Sequence, residues 1–188
     1  MNERESQTIR SARLDLVLLS PKVLRLSIAG DMKAVERTLQ LSVPPQWYED
    51  KDLLRFRLQQ LKDPDYQPWG LRAIALRERQ LMVGYFNFHT QPGNPYLLPF
   101  SPYGVEFGYE IFPTFRRQGY ARETCLALMK WAHEEHDVAE FVVSIAPDNL
   151  PSRRLAEGLG FVRVGSHIDE VDGPEDVFRL RYPPGEAD

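Results

Sequence analysis

Hydrophobic and polar positions along the chain follow two periods, and the change from one to the other marks the elements. Leu14 to Leu19 is an apolar-rich run that reads as a first strand. Ser20-Pro21 then supplies an N-cap with proline at the first helical position, and Gly30 a stop. A second short helix is expected from Asp31 to about Leu41, ended by Pro44-Pro45. From Gln46 to Lys62, Trp47, Leu54, Leu58 and Leu61 fall at near-helical spacing, and Asp63-Pro64 closes the segment. Two alternating segments, Trp69 to Leu76 and Leu81 to Phe88, flank the polar Arg77-Glu78-Arg79-Gln80 and read as a hairpin.

A Pro/Gly-rich stretch from Gln91 to Tyr103 is long enough for a substrate-facing loop rather than a tight turn. Thereafter the pattern predicts a strand (Val105 to Phe112), a helix (Gln118 to about His136) and a strand (Glu140 to Ile145). A helix (Pro151 to Leu159) and strands from Phe161 to about His167 and from Val177 to Tyr182 complete it. A hairpin followed by alternating strands and helices predicts an α/β fold, an α+β arrangement with a mixed sheet. Residues 1–11 are expected to be a flexible arm, 12–183 a single domain, and 184–188 a tail.

Composition narrows the classes. The 188 residues suffice for one domain with a sizeable core, and 43% hydrophobic with 27% charged residues is the balance of a soluble globular protein. A net charge of -4 argues against a nucleic-acid partner and suits an amine substrate. Cys125 is the only cysteine, so no internal disulfide and no Cys-based zinc cluster can form. The N-terminal MNERESQTIRSARLD lacks an apolar signal region, and no run approaches the roughly 18 apolar residues of a membrane span. A cytoplasmic protein without a membrane partner is expected.

The most informative stretch is Phe112-Pro113-Thr114-Phe115-Arg116-Arg117-Gln118-Gly119-Tyr120-Ala121, between a strand and a long helix. Ala121, Cys125, Leu128, Met129 and Ala132 mark that helix's buried stripe. Free N–H groups at a helix start, the helix dipole and two arginines together suit a pyrophosphate. On the residues alone, an ordinary strand-to-helix turn with solvated arginines fits equally well. No G-x-x-x-x-G-K-[ST] is present, and Gly158-Leu159-Gly160 lies at a helix exit, the wrong place for a dinucleotide fingerprint.

Arg116-x-x-Gly119-x-Ala121 resembles the Q/R-x-x-G-x-G/A acyl-CoA motif of the GNAT superfamily. Glu106-Phe-Gly108-Tyr109 before it, Gly119-Tyr120-Ala121-Arg-Glu123 within it, and Asn149-x-x-Ser152 with Leu159-Gly160-Phe161 after it extend the likeness. The series is similar to the ribosomal-protein N-terminal (RimJ/RimL-like) acetyltransferase branch, strongly over Val105 to Val164 and weakly elsewhere. The resemblance implies a GNAT-like fold of about six or seven strands with about four helices. It implies acetyl-CoA, or another acyl-CoA, as cosubstrate without a metal, and an amine acceptor. A peptide or protein N-terminus is favoured over a small-molecule amine, and a homodimer is left open.

Carried onto this chain, the resemblance has Gln118, Gly119, Tyr120 and Ala121 hold the CoA pyrophosphate, aided by Arg116 and Arg117. Tyr109, Ile111 and Phe112 would pair with the pantetheine arm, and Asn149 would bond near it or order the cleft. Among base candidates, Glu106 and Glu110 share one face of their strand with Gly108, opposite Val105, Phe107, Tyr109 and Ile111. A solvated sheet face is the bland alternative for both; the resemblance selects Glu106. Many relatives carry a tyrosine acid where Ala156 stands, which leaves Ser152 as catalytic acid or as a helix-start residue. A catalytically silent acyl-CoA sensor is the rival function.

Other features carry less. His133 and His136 lie three apart rather than at zincin spacing, and Cys125 sits on the apolar stripe. The acidic segment with Asp169, Glu170, Asp172, Glu175 and Asp176 reads as a solvated hairpin turn or as an attractor for a cationic amine. Trp47, Tyr48, Tyr96, Phe100 and Tyr103 are candidates for an aromatic wall of the acceptor site.

Overall fold

The computed structural model describes residues 8–169 and 173–183. Their strands are β1 (Thr8–Arg10), β2 (Leu14–Leu18), β3 (Arg72–Leu76), β4 (Leu81–Phe88), β5 (Val105–Ile111), β6 (Glu140–Ile145), β7 (Val162–Asp169) and β8 (Gly173–Arg181). The helices are α1 (Pro21–Ala29), α2 (Met32–Leu39), α3 (Lys51–Gln60), α4 (Tyr120–His136) and α5 (Leu150–Gly158). The architecture is mixed α/β, with one sheet in the order β1-β2-β3-β4-β5-β6-β8-β7. By contact the chain divides into two compact units, residues 1–87 with 109–127 and residues 88–108 with 128–188.

In the first unit, β1 to β4 pair antiparallel in sequence order, with a bulge in the β3–β4 ladder between Ile74 and Ala75. Local chemistry sets its helix ends. The Ser20 side chain accepts from Val23 N–H ahead of Pro21, and Gly30 closes α1 at φ 76°. Asp31 and Asp50 cap α2 and α3 in the same way. Leu14, Leu16, Leu24, Val35, Leu54, Ile74, Met82 and Phe86 are buried and form its apolar interior. Gly84 has no alternative, because a Cβ there would lie 2.1 Å from the Glu110 carbonyl oxygen.

In the second unit, β6 pairs antiparallel with β8, and β8 with β7. The parallel β5–β6 ladder covers Val105↔Phe141 and Glu106↔Val142, while β6 continues against β8 to Ile145. Phe107 packs edge-on against Phe141 and Phe161, and Leu97, Val142 and Val177 form a second buried group with Phe100 against it.

Two expectations are corrected. The described residues contain eight strands and five helices, more than the six or seven and four expected. The extra strand is β1, inside the segment expected to be a flexible arm; Thr8, Ile9 and Arg10 pair with Val17, Leu16 and Asp15. The segment expected as one helix from Gln46 is a 3-10 turn, Pro45–Tyr48, followed by α3. Residues 1–7 of the arm, the 184–188 tail, Glu170 and Asp172 lie outside the described residues. Among the described residues no helix is long and apolar enough to cross a membrane.

Candidate active site

Strand β5 delivers Tyr109, Glu110 and Ile111 to a 3-10 turn, Pro113–Phe115, from which Arg116–Gly119 lead into α4. Arg117 and Gly119 have φ of 61° and 81°. Glycine adopts this region freely, whereas it is uncommon for an arginine. Arg116, Arg117, Gln118 and Gly119 are exposed, and Tyr120 is buried. The ladder of α4 begins with Glu123 N–H donating to the Gly119 carbonyl at 3.0 Å. The N–H groups of Tyr120, Ala121 and Arg122 therefore precede the ladder, at the positive end of the helix dipole. An exposed, glycine-containing turn with these donors fits a pyrophosphate.

The side chains beside this turn are arranged less openly than their sequence suggests. Arg116 folds back, its Nε donating to the Ile111 carbonyl at 2.8 Å and its Nη2 3.9 Å from Glu110. Phe112 N–H donates to the Val83 carbonyl at 3.0 Å. The Ile111 and Phe112 side chains are buried and Tyr109 is half-buried, while the Ile111 carbonyl and the Phe112 N–H already have partners within the protein. Arg13, which no sequence signal marks, lies over the Tyr120 ring at 4.7 Å and donates through Nη1 to the Gln118 carbonyl at 3.0 Å. Its Nε and backbone N–H both donate to Glu123 at 2.7 Å, and the Ser11 hydroxyl donates to the same carboxylate at 2.6 Å. Burial raises the Glu123 pKa, but the donors of Ser11 and Arg13 outweigh it and leave the carboxyl below its ordinary range.

Glu106 sits on β5 in the second unit with only 5% of its side chain exposed. The Tyr96 hydroxyl donates to its Oε2 and the Ser144 hydroxyl to its Oε1. His89 Nδ1 lies 3.2 Å from Oε2, and His89 N–H donates to the Glu106 carbonyl at 2.8 Å. Burial opposes ionisation, yet His89, Ser144 and Tyr96 together lower the Glu106 pKa to about 2. Three donors converging on one buried carboxylate make a fixed negative charge. His89 and Ser144 are further residues that the sequence pattern missed. Tyr96, expected in an aromatic wall, binds the carboxylate through its hydroxyl.

Glu110, in the first unit, accepts from the Tyr85 hydroxyl at 2.8 Å and is 42% exposed. Burial, followed by that bond and the Glu110 charge, raises the Tyr85 pKa above the usual phenol value. Asn149 caps α5, its Oδ1 accepting from Ser152 N–H at 3.3 Å. Ser152 is thus the third residue of the helix and not its cap, with a half-buried side chain. Ala156, in the same helix, is buried.

Three of the remaining candidates are built into the fold. Trp47 is buried, donating from its indole N–H to the Ser27 hydroxyl at 2.9 Å. Asp176 joins Arg153 and Arg163 at 2.8 Å each and ties α5 to the β7–β8 hairpin. Cys125 is buried, and desolvation pushes its thiol up to about 12, as befits a core residue. Among the described residues no group of three or more His, Cys, Asp or Glu side chains could hold a metal.

Residues 13–162 match the acetyltransferase (GNAT) domain family. The FsC-acetyl coenzyme A-N(2)-transacetylase of Aspergillus fumigatus is 31% identical over 93% of this chain and 73% of its own length. The uncharacterised N-acetyltransferase YnaD of Bacillus subtilis is 24% identical over a segment covering 49% of each protein, about half the length of that relative. Among solved structures, RimL, a ribosomal L7/L12 alpha-N-protein acetyltransferase in complex with coenzyme A, aligns with a TM-score of 0.64. It is 18% identical, with 93% of this chain and 97% of that one covered.

Proposed function

The chain belongs to the GNAT acetyltransferase family, and from that premise we propose that it transfers an acetyl group from acetyl-CoA to a primary amine. Transfer is by direct attack in a ternary complex, and the catalytic domain is assigned to residues 12–183. The observation that carries the reading is the exposed Arg116–Gly119 turn at the start of α4, with N–H groups ahead of the helical ladder. Main-chain groups of Gln118, Gly119, Tyr120 and Ala121 would hold the pyrophosphate, with Arg117 and Arg116 adding charge. Main-chain groups of Tyr109, Ile111 and Phe112 would meet the pantetheine arm. Asn149, which caps α5, would bond to the pantetheine region or help to order the cleft. When bound, acetyl-CoA supplies an electrophilic thioester carbonyl and a thiolate leaving group.

The acceptor must lose a proton before it attacks. An α-amino group with a pKa near 8 costs about 1 kcal/mol to deprotonate at neutral pH, whereas a lysine costs roughly 4–5 kcal/mol. Modest base assistance therefore suits an α-type amine. Glu106 belongs to the deprotonating machinery and Ser152 to protonation of the thiolate. The RimL likeness supports a protein N-terminus as acceptor. The higher identity to an enzyme named FsC-acetyl coenzyme A-N(2)-transacetylase supports acetyl transfer to a nitrogen and keeps a small-molecule amine as the other acceptor class. Mass spectrometry of acceptors incubated with acetyl-CoA tests the reading: one added acetyl on an amine is expected. A protein that binds CoA and modifies no amine would instead be an acyl-CoA sensor.

A further inference from the structure

We propose that His89 is the general base that takes the proton from the acceptor amine, with Glu106 as the positioning residue that orients its imidazole. The inference rests on the acetyltransferase reading and assigns its proton-transfer step. It is carried by geometry within one compact unit. His89 follows the last residue of β4 and is fixed beside Glu106 by its own N–H, which donates to the Glu106 carbonyl at 2.8 Å. Its Nδ1 lies 3.2 Å from Glu106 Oε2, and 37% of its side chain is exposed against 5% for the carboxylate. The dyad thus presents its imidazole outward and its negative charge inward.

The tautomer follows from this contact. A carboxylate only accepts hydrogen bonds, so Nδ1 carries a ring proton, and in the neutral ring Nε2 is the nitrogen left to accept one. Gly108 permits the arrangement, because a Cβ at that position would lie 2.9 Å from Nε2. Tyr96 and Ser144 hold the carboxylate from its other sides and keep it ionised.

Glu106 is poorly suited to the base role itself. Its oxygens are already taken up by Tyr96, Ser144 and His89, which hold the carboxyl below its ordinary range and leave it little tendency to take a proton. What it can do is hold the ring that meets it through Nδ1 in a fixed orientation. In the step, one N–H proton of the protonated amine passes to Nε2, and the freed nitrogen lone pair attacks the thioester carbonyl carbon. The C–S bond then breaks with its electron pair leaving on sulfur, and the second N–H proton, shed from the nitrogen as the amide forms, is taken up by the thiolate.

The test compares wild type, His89→Ala, His89→Gln and Glu106→Gln in amine-dependent CoA release. Acetyl-CoA binding, measured by calorimetry, confirms that each variant is folded. His89→Ala should lower kcat by about 10²–10³-fold with the KM for acetyl-CoA unchanged. Added imidazole should restore part of the rate in His89→Ala, a gain that a misfolded variant cannot give. Glu106→Gln should lower kcat and shift the acidic limb of the pH–rate profile. Turnover in His89→Ala within twofold of wild type overturns the proposal and leaves the acetyltransferase reading standing. So does a loss that imidazole fails to reverse. A wild type with no amine-dependent CoA release overturns both.

Discussion

Arg13 and Glu123, 110 positions apart, meet at 2.7 Å through both the guanidinium Nε and the backbone N–H of Arg13. The contact fastens the segment before β2 to the first turn of α4, the same turn whose N–H groups are assigned to the pyrophosphate. Glu123→Gln should therefore loosen the turn. The expected cost is about 1–2 kcal/mol of stability, because hydrogen bonds to a charged acceptor weaken without vanishing. A several-fold rise in the KM for acetyl-CoA should accompany it. Urea unfolding and initial rates against acetyl-CoA measure the two, and an unchanged KM would detach the contact from cofactor binding.

Gly119 is the other handle on that turn. Its φ of 81° is a conformation that an alanine adopts only with strain of about 1 kcal/mol or more. Gly119→Ala should rotate the local N–H groups and weaken CoA binding about tenfold. Calorimetric titration with CoA checks this directly, and wild-type affinity would rule out the main-chain cradle.

Glu106 makes stability depend on pH in a defined direction. Its pKa is about 2 in the fold against an ordinary 4.5, so the ionised form stabilises the folded chain above pH 4.5. That contribution is lost as pH falls through the window toward 2 and is on the order of 3 kcal/mol. Denaturation midpoints measured from about pH 6 downward should fall more steeply in wild type than in Glu106→Gln. Equal slopes would mean that the carboxylate is not held as described.

Ser152 and Asn149 separate chemistry from capping. Asn149→Ala removes the side chain that accepts from Ser152 N–H and should cost about 1 kcal/mol of stability. Ser152→Ala leaves the cap in place and should lower kcat with stability unchanged. If Ser152→Ala retains wild-type kcat, the acid role is untenable.

The elements legible in the sequence are those specified by neighbours. Ser20, Pro21 and Gly30 bound α1, and Asn149 caps α5, because caps act over three or four residues. The hairpin of β3 and β4 was equally plain from alternation around a polar turn. Strand β1 was hidden, since three residues in a polar segment carry no period and gain their partners only from β2. The candidate site divides the same way. Glu106 could be named from its motif, but its burial could not: Tyr96 and Ser144 reach it from 10 and 38 positions away. Long-range partners also explain why His89 and Arg13 carried no signal, since each gains its role only when the sheet brings a distant carboxylate beside it.

The most direct test of the central claim is the initial rate of free CoA formation from acetyl-CoA, read with a thiol reagent across peptides, polyamines and aminoglycosides. Release that depends on an added primary amine and saturates with it is the predicted result. Tight CoA binding with no amine-dependent release on any member, from acetyl-CoA or a longer acyl-CoA, would contradict it.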